Sequence, residues 1–406
     1  MNVLFLTLVE FESLSERNIY TDLLREFVKN GHHVYIVSPI QKRDNVNTHL
    51  NIEESAHILR LQIGNIQKTN IIEKGLSTLT IEKLYIKGIE HYYSDVCFDL
   101  VLYSTPPITL VGAVEYVKKR DGAKTYLLLK DIFPQNAVDL NMMKTTGLSS
   151  TIYRYFRRKE KRLYSISDKI GCMSPANVDY VIKHNPEIDI SKIEVCPNCI
   201  EIVDKKIDEA TKIKVRRKYG IPIDKKVFVY GGNLGKPQGI PFLIKCLQRV
   251  SDITEAYFTI IGDGTEYSEL EKYTNTSNQR NIKLFKRLPK EDYDTLVASC
   301  DVGIVFLDYR FTIPNFPSRI LSYMQAHLPV LAVTDLASDL GTIVENAKFG
   351  WRCSSNNPLD VRKKIKEIVE LNDATIGDRG FAYLIKNYSA DKSYNIIIDS
   401  FKELNT

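Results

Sequence analysis

Short apolar runs alternate with amphipathic stretches along the whole chain. This alternation is typical of α/β proteins whose strands form parallel sheets. In the first half, the apolar runs predict strands at residues 3–7, 33–38, 100–103, 125–130, 169–173 and 192–196. A helix is predicted over 15–29, because apolar side chains recur there at helical spacing and Gly31 follows its end. The segment 45–80 is less regular and carries no recognisable site motif.

A charged stretch that is poor in large apolar residues, 201–221, divides this alternation into two halves. The second series predicts strands at residues 226–230, 256–262, 282–285, 302–307 and 329–333, each followed by a helix. We therefore predict an N-terminal doubly wound domain over 1–200, a linker over 201–221 and a second doubly wound domain over 222–388. The amphipathic end, 389–406, is predicted to return as a helix to the first domain. A cleft is expected between the carboxyl ends of the two sheets.

The composition excludes several classes of protein. With 406 residues, 44% apolar and 26% charged, the chain is neither disordered nor collagen-like. No stretch approaches the ~18 apolar residues of a membrane span. The apolar start before Glu10 lacks the basic segment and cleavage site of a signal peptide. Seven scattered cysteines suit a reducing compartment, so a cytoplasmic location is predicted.

Basic residues cluster between Tyr153 and Tyr164, where the chain reads YRYFRRKEKRLY. A basic helix that also carries aromatic side chains can lie on an anionic membrane or on nucleic acid. The simpler alternative is a solvated helix face, which is the usual fate of a run of charges. The pattern alone leaves these alternatives open.

Two short motifs bear on metal and redox chemistry. Cys196 and Cys199 have the C-x-x-C spacing of redox and zinc sites, but no second pair or histidine cluster accompanies them. Asp292 and Asp294 have the spacing of some metal-binding carboxylates. They fall in the first turn of a predicted helix, where acidic residues are favourable for another reason. Neither motif predicts a metal.

The most informative segment is 228–239, FVYGGNLGKPQG, in which a strand runs into a glycine-rich turn before a helix begins at Ile240. The N–H groups that glycine leaves accessible, the helix N-terminus and the charge of Lys236 all suit a phosphate. Because Pro237 follows the lysine, the segment is not a P-loop, and it also lacks the Gly-x-Gly-x-x-Gly spacing. The predicted ligand is a nucleotide or a phosphorylated sugar; a bend that binds nothing is the alternative.

Two more loops of the second domain follow strand ends and are expected to face the cleft. Gly262, Asp263 and Gly264 form a tight turn that can present backbone N–H groups. In the second loop, Ser318 is a predicted N-cap and Arg319 falls in the first helical turn. A cation is unfavourable at that position, which indicates an anionic ligand for Arg319. The alternative is an arginine that is turned to solvent or paired with a carboxylate.

A carboxylate occupies the comparable position in the first domain. Lys130 and Asp131 stand at the end of the predicted strand 125–130, and Pro134 ends the regular structure. Asp131 could act as a base, orient a sugar hydroxyl or cap the next helix.

Together, these motifs resemble family four of the glycosyltransferases, the retaining, metal-independent GT-B enzymes of bacterial capsule, O-antigen and exopolysaccharide assembly. The similarity covers nearly the whole chain and is carried by segments such as LKDIFPQNAVDL, GGNLGKPQGIPFLI, IIGDGTE and IPNFPSRILSYMQAHLPVLA. The resemblance implies an α/β GT-B fold with two Rossmann-like domains. In that fold the N-terminal domain mostly holds the acceptor and the C-terminal domain holds the nucleotide-sugar donor.

The resemblance also implies roles for single residues. Lys236 and Arg319 would stabilise the leaving diphosphate during transfer with retention, and Asp131 would face the transferred sugar. These three are the predicted catalytic residues. The predicted donor-binding residues are Gly232, Asn233, Gly235, Gly262, Asp263, Gly264, Asn315, Ser318 and Ser322. No cofactor and no metal is expected, and the expected partners are a nucleotide sugar and a lipid-linked saccharide acceptor, without nucleic acid.

The chain departs from the family pattern where a Glu-x7-Glu motif is usual. Pro314 and Ser322 stand in place of the two glutamates, and Ser322 offers only a neutral hydrogen bond to a ribose. The first loop also lacks the family's usual double glycine. A second hypothesis is therefore a non-catalytic GT-B subunit that supports a partner transferase. A sugar-nucleotide epimerase would need further acid and base residues, and the sequence identifies no such set.

Overall fold

The computed structural model describes residues 1–66, 71–147, 150–277 and 279–402. These residues form two compact units: unit 1 comprises Met1–Glu201 and the segment that starts at Ala390, and unit 2 comprises Ile202–Ser389. Within these ranges, no helix is long and apolar enough to cross a membrane.

Unit 1 is built around one sheet with helices packed against it. Its strands are β1 Asn2–Leu6, β2 His33–Gln41, β3 His49–Glu53, β4 Ala56–Ile63, β5 Leu100–Thr105, β6 Lys124–Leu129, β7 Lys169–Cys172 and β8 Ile193–Val195. Its helices are α1 Ile19–Lys29, α2 Ile71–Tyr92, α3 Val111–Asp121, α4 Gln135–Asp139, α5 Ser150–Ile166, α6 Pro175–His184 and α15 Ala390–Lys402.

The sheet of unit 1 has the order β3-β4-β2-β1-β5-β6-β7-β8. All of its neighbouring strands are parallel except β3 and β4, which form an antiparallel pair. This pair lies in the segment 45–80, for which the sequence predicted no strand. Its outer strand β3 is only partly buried and mixes polar with apolar residues, so it lacks the continuous apolar run of the central strands. Residues 67–70 of the same segment lie outside the described residues.

The first and last helices of unit 1 pack on each other. Helix α1 begins at Ile19, later than predicted, because the Asn18 side chain accepts the N–H groups of Tyr20 and Thr21 and caps it there. Helix α15 contacts α1 through Phe27 and Tyr394, whose ring centroids are 4.9 Å apart. The predicted return of the C-terminal helix to the first domain is therefore confirmed up to residue 402; residues 403–406 lie outside the described part.

Unit 2 has the same kind of architecture. Its strands are β9 Lys226–Asn233, β10 Ala256–Asp263, β11 Ile282–Phe285, β12 Val302–Phe306, β13 Val330–Thr334 and β14 Gly350–Ser354, in the order β11-β10-β9-β12-β13-β14. Its helices are α7 Glu209–Lys218, α8 Ile240–Arg249, α9 Tyr267–Thr276, α10 Lys290–Ala298, α11 Arg319–Gln325, α12 Leu340–Asn346, α13 Pro358–Glu370 and α14 Thr375–Tyr388. Strand β14 was not predicted, because its sequence GWRCS offers no apolar run and its side chains are only partly buried or exposed.

The segment 201–221, which the sequence assigns to a linker, is packed into unit 2 from residue 202 onward. It contains α7, whose Arg216 is buried and donates to the backbone carbonyl of Ser299 and to the carboxylate of Asp301. Burial raises the pKa of Asp301, but Arg216 and Lys212 outweigh it and hold this pKa below the usual range. Some of the charged residues that led to the prediction of a linker therefore form ion pairs within unit 2.

Each sheet has one point at which the strand order reverses: between β1 and β5 in unit 1, and between β9 and β12 in unit 2. In open α/β sheets, ligands bind beside the carboxyl ends of the strands at such a point. In unit 2, the loops that follow β9 and β12 are the glycine-rich turn and the loop that leads to Arg319.

Candidate donor-phosphate site

The glycine-rich turn after β9 is held by hydrogen bonds from both sides. The Tyr230 hydroxyl donates to the Asn233 carbonyl at 2.7 Å, and the Leu234 N–H donates to the Asp263 carbonyl at 2.9 Å. Gly232 has φ +127°, a backbone conformation that side-chain-bearing residues rarely adopt. The backbone conformation therefore favours glycine at position 232, whether or not a ligand binds to the turn.

The turn after β10 packs directly on the glycine-rich turn. A Cβ on Gly262 would lie 1.9 Å from the Gly232 carbonyl oxygen, and one on Gly264 would lie 2.4 Å from the Leu234 carbonyl oxygen. Both glycines thus allow two backbone segments to approach closely. Asp263, between them, is exposed, and its carboxylate accepts the N–H of Gly264 at 2.8 Å.

Gln238 organises the interior of the turn, a role that the sequence did not predict. Its side chain is 8% exposed, and its Oε1 accepts the Asn233 side-chain amide at 3.1 Å and the Gly235 N–H at 3.2 Å. Asn233 itself is exposed to solvent, with its side chain held in place by this contact. The sequence gives one sign of this role, which is that a polar residue, Gln238, directly precedes Gly239.

Carboxylates of the protein lie near the N-terminus of α8. The sequence assigned its partial positive charge to a phosphate, and in the structure the Glu266 carboxylate lies close to Ile240, the first residue of the helix. Asp308 also lies beside Gly239, at 3.6 Å from where a Cβ would stand. Two carboxylates of the protein thus lie near this helix end and weaken its attraction for a further anion.

Lys236 and Arg319 have different surroundings. The Lys236 side chain is exposed and lies in the field of the Glu266 carboxylate. Arg319 is only partly exposed, and its Nη1 is buried without a hydrogen-bond partner among the described residues. Neither alternative considered for Arg319, a solvent-exposed side chain or a carboxylate pair, matches this geometry.

Three tyrosines and a glycine surround the Arg319 guanidinium. Its Cζ lies 4.6 Å from the centroid of the Tyr230 ring, and Tyr293 and Tyr323 are near enough to influence its charge. On another side is Gly232, where an added Cβ would lie 3.3 Å from Cζ. A partly buried cation with an unused N–H group, placed against a glycine turn, is chemically suited to bind an anion.

The remaining predicted donor residues lie on the loop and helix around Arg319. The Asn315 N–H donates to Ser338 Oγ at 2.9 Å, and its side-chain amide donates to the Ile313 carbonyl at 3.3 Å. Ser318 occupies the predicted N-cap position of α11, but its side chain makes no capping hydrogen bond. Ser322 is partly buried one turn into α11.

In unit 1, Asp131 follows β6 and is partly buried. Its Oδ2 accepts the Asn136 side-chain amide at 2.5 Å, while α4 begins later, at Gln135, without a side-chain cap. The helix-capping alternative for Asp131 is therefore wrong. Burial raises the pKa of Asp131 to about 6, although the Ile132 N–H and the Asn136 amide act in the opposite direction.

Replacing Asp131 by asparagine is expected to raise the free energy of unfolding by about 2 kcal/mol above pH 6. A carboxyl group whose folded-state pKa is raised destabilises the fold once it is ionised. The gain should therefore disappear as the pH falls from 6 towards 4. Urea unfolding of the variant across this range checks the prediction, with the exposed Asp179→Asn as control. A loss of stability in Asp131→Asn at pH 7.5 would contradict it.

The other polar groups near this strand end have structural partners. Lys130 Nζ donates to the carbonyls of Cys196 and Pro197, at 3.2 and 3.1 Å. Cys196 and Cys199 are buried, and burial raises the pKa of both thiols, which disfavours the reactive thiolate. Among the described residues, no group of three or more His, Cys, Asp or Glu side chains could hold a metal ion.

Helix α5 carries the basic cluster, and most of its cations are paired with carboxylates. The ion pairs are Arg157–Glu160, Lys159–Glu82, Lys161–Glu187 and Arg162–Glu115. The first half of the helix differs, because Arg154 and Arg158 are exposed there beside Ile152 and Tyr155, which are 57% and 38% exposed.

Comparison with known proteins places the glycine-rich turn and Arg319 in one recognised domain. Residues 211–387 match the family model of glycosyl transferases group 1. This match covers both loops of the strand-order reversal in unit 2.

Relatives and solved structures extend the similarity over the rest of the chain. A probable glycosyltransferase of Pseudomonas aeruginosa, WbjE, is 28% identical over 295 residues, which are 72% of this chain and 71% of WbjE. The putative colanic acid biosynthesis glycosyl transferase WcaI of Escherichia coli is 23% identical over 251 residues, 61% of this chain and 60% of WcaI. The crystal structure of Anabaena HepE in complex with UDP-glucose has a TM-score of 0.71 at 14% identity, and the match covers 99% of this chain and 100% of HepE. The predicted fold of two Rossmann-like α/β domains, as in GT-B glycosyltransferases, is thereby confirmed.

Proposed function

We propose that the protein is a glycosyltransferase that moves a sugar from a nucleoside diphosphate to a saccharide acceptor in surface polysaccharide synthesis. The observation that carries this proposal is Arg319, a partly buried cation without a described hydrogen-bond partner on Nη1, beside Gly232 at the strand-order reversal of unit 2. The group 1 domain and the relatives named as glycosyltransferases support it.

In the proposed mechanism, Arg319 binds the diphosphate and stabilises the charge that develops on it as the bond to the sugar breaks. The exposed Lys236 adds a weaker, solvent-screened attraction. Transfer occurs with retention on the face from which the diphosphate departs, and a phosphate oxygen accepts the proton of the acceptor hydroxyl. Asp131 accepts a hydrogen bond from the transferred sugar. No metal is part of this mechanism, because the cationic side chain and the backbone N–H groups of the turn meet the charge of the diphosphate.

The test is a hydrolysis and transfer assay with UDP-, GDP-, ADP- and dTDP-sugars and a lipid-linked saccharide extract. We expect turnover of one class of donor, with the anomeric configuration retained in the product. Binding of a nucleoside diphosphate without any turnover would instead favour a non-catalytic subunit, and binding of none would contradict the proposed function.

We also propose that the first half of α5 contacts the anionic membrane surface on which a lipid-linked acceptor resides. The exposed Ile152 and Tyr155, flanked by Arg154 and Arg158, combine apolar and cationic groups on one helix surface. The double change Ile152→Ser and Tyr155→Ser is expected to lower partitioning onto vesicles that contain phosphatidylglycerol by about tenfold or more. Sedimentation with such vesicles checks this, with the exposed Leu79→Ser of α2 as control. Equal partitioning of the double variant and the native protein would exclude this surface.

A further inference from the structure

The Tyr323 hydroxyl joins the two strands between which the strand order of unit 2 reverses. It accepts the N–H of Gly231, at the end of β9, at 3.0 Å, and it donates to the carbonyl of Ile304, on β12, at 3.1 Å. Its ring lies against Gly303, where a Cβ would be 2.4 Å from the ring carbons. Tyr323 thus fixes the start of the glycine-rich turn relative to β12.

Tyr323 also stands one helical turn after Arg319, so both side chains lie on the same face of α11. The residue that Tyr323 holds, Gly231, directly precedes Gly232, which faces the guanidinium. On the other side of Gly231 is Tyr293, whose hydroxyl oxygen would be 2.1 Å from an added Cβ. The turn and the cation are therefore positioned by the same aromatic side chains.

The chemistry of these partners has a consequence for anion binding. An arginine is usually held by a carboxylate, and such a partner would neutralise the charge that a phosphate needs. A tyrosine hydroxyl can orient neighbouring groups while it stays neutral. Burial raises the pKa of Tyr323 well above its usual value of 10, so the hydroxyl keeps its proton at physiological pH.

We propose that Tyr323, assisted by Tyr230 and Tyr293, is a positioning residue that aligns Arg319 with the turn after β9 and leaves its charge available to the donor diphosphate. This inference rests on the proposed function. It explains why tyrosines lie near the cation. It also predicts that Tyr323 affects binding of the phosphate part of the ligand and not of the nucleoside part.

The test compares Tyr323→Phe with the native protein by calorimetric titration with a nucleoside diphosphate and with the corresponding nucleoside. Because the ring is kept and only the hydroxyl is lost, we expect diphosphate affinity to fall about tenfold and nucleoside affinity to stay unchanged. In an Arg319→Ala background, Tyr323→Phe should have little further effect on diphosphate affinity. Tyr85→Phe, in unit 1, is the matched control for loss of a buried tyrosine hydroxyl, because the Tyr85 hydroxyl donates to the Thr7 carbonyl.

Equal losses for nucleoside and diphosphate, or losses that add fully in the Arg319→Ala background, would overturn the proposal. A second measurement does not depend on any ligand. In ligand-free protein, nitrogen-15 NMR should show slower rotation of the Arg319 guanidinium in the native protein than in Tyr323→Phe or in Tyr293→Phe. If the native protein bound no nucleoside diphosphate, the proposed function would fail, whereas unchanged rotation in both variants would overturn the positioning role itself.

Discussion

Replacing Arg319 by alanine is expected to lower the rate of sugar transfer by about 10² to 10³-fold while the protein stays folded. The guanidinium lies on the Tyr230 ring, and its Nη1 has no hydrogen-bond partner among the described residues, so its removal takes away a charge that the fold does not use in an ion pair. Steady-state kinetics with the accepted donor measure the effect. A lysine at this position should restore only part of the rate, because it lacks the planar group that stacks on Tyr230.

The matched comparison is Lys236→Ala, for which we expect a loss of at most about tenfold. Lys236 is exposed and lies near the Glu266 carboxylate, so solvent and a neighbouring charge already weaken its attraction for an anion. Arg249→Ala, on the exposed end of α8, controls for the removal of an arginine as such. If Lys236→Ala were the more damaging change, the phosphate would lie over the end of the turn, and our placement beside Gly232 would be wrong.

Replacing Gly232 by alanine is expected to lower the transfer rate by about 10²-fold, since small displacements of catalytic groups have effects of this size. Two physical reasons combine. The backbone of Gly232 has φ +127°, and the new methyl group would stand 3.3 Å from Cζ of Arg319. The chain has to move either the turn or the guanidinium, and both belong to the same proposed site.

The control for this change is Gly122→Ala, which also replaces a glycine of positive φ, +69°, but has no atom within 4 Å of the new Cβ. It should cost stability without affecting donor kinetics at temperatures where the protein is folded. Equal kinetic effects of Gly232→Ala and Gly122→Ala would mean that the first acts through stability alone. Melting temperatures of both variants separate the two cases.

Much of the fold follows from local sequence patterns. The central strands of both sheets are continuous apolar runs, and glycine or asparagine marks several helix ends, so these elements were predicted to within a few residues. The outer strands β3 and β14 and the inner strand β4 were not, because polar residues interrupt their apolar ones. At the start of α11, Ser318 occupies the predicted N-cap position, but its side chain makes no capping hydrogen bond.

The candidate site was predictable only in part. Glycine spacing and an arginine at a helix start drew attention to Gly232 and Arg319, since both residues are unusual for their local context. Of the tyrosines near Arg319, only Tyr323 is local, one turn further along α11; Tyr230 belongs to β9 and Tyr293 to α10. No local pattern predicts such an arrangement. For the same reason, the position of Glu266 near the α8 N-terminus appears only in the folded chain.

The central claim is that Arg319 in unit 2 binds the diphosphate of a nucleotide sugar. The most direct measurement is calorimetric titration of the native protein and of Arg319→Ala with UDP, GDP, ADP and dTDP and with the parent nucleosides. Our account predicts that the native protein binds at least one diphosphate more tightly than its nucleoside and that Arg319→Ala removes most of this difference. An unchanged preference for the diphosphate in Arg319→Ala, or no binding of any diphosphate by the native protein, would contradict it.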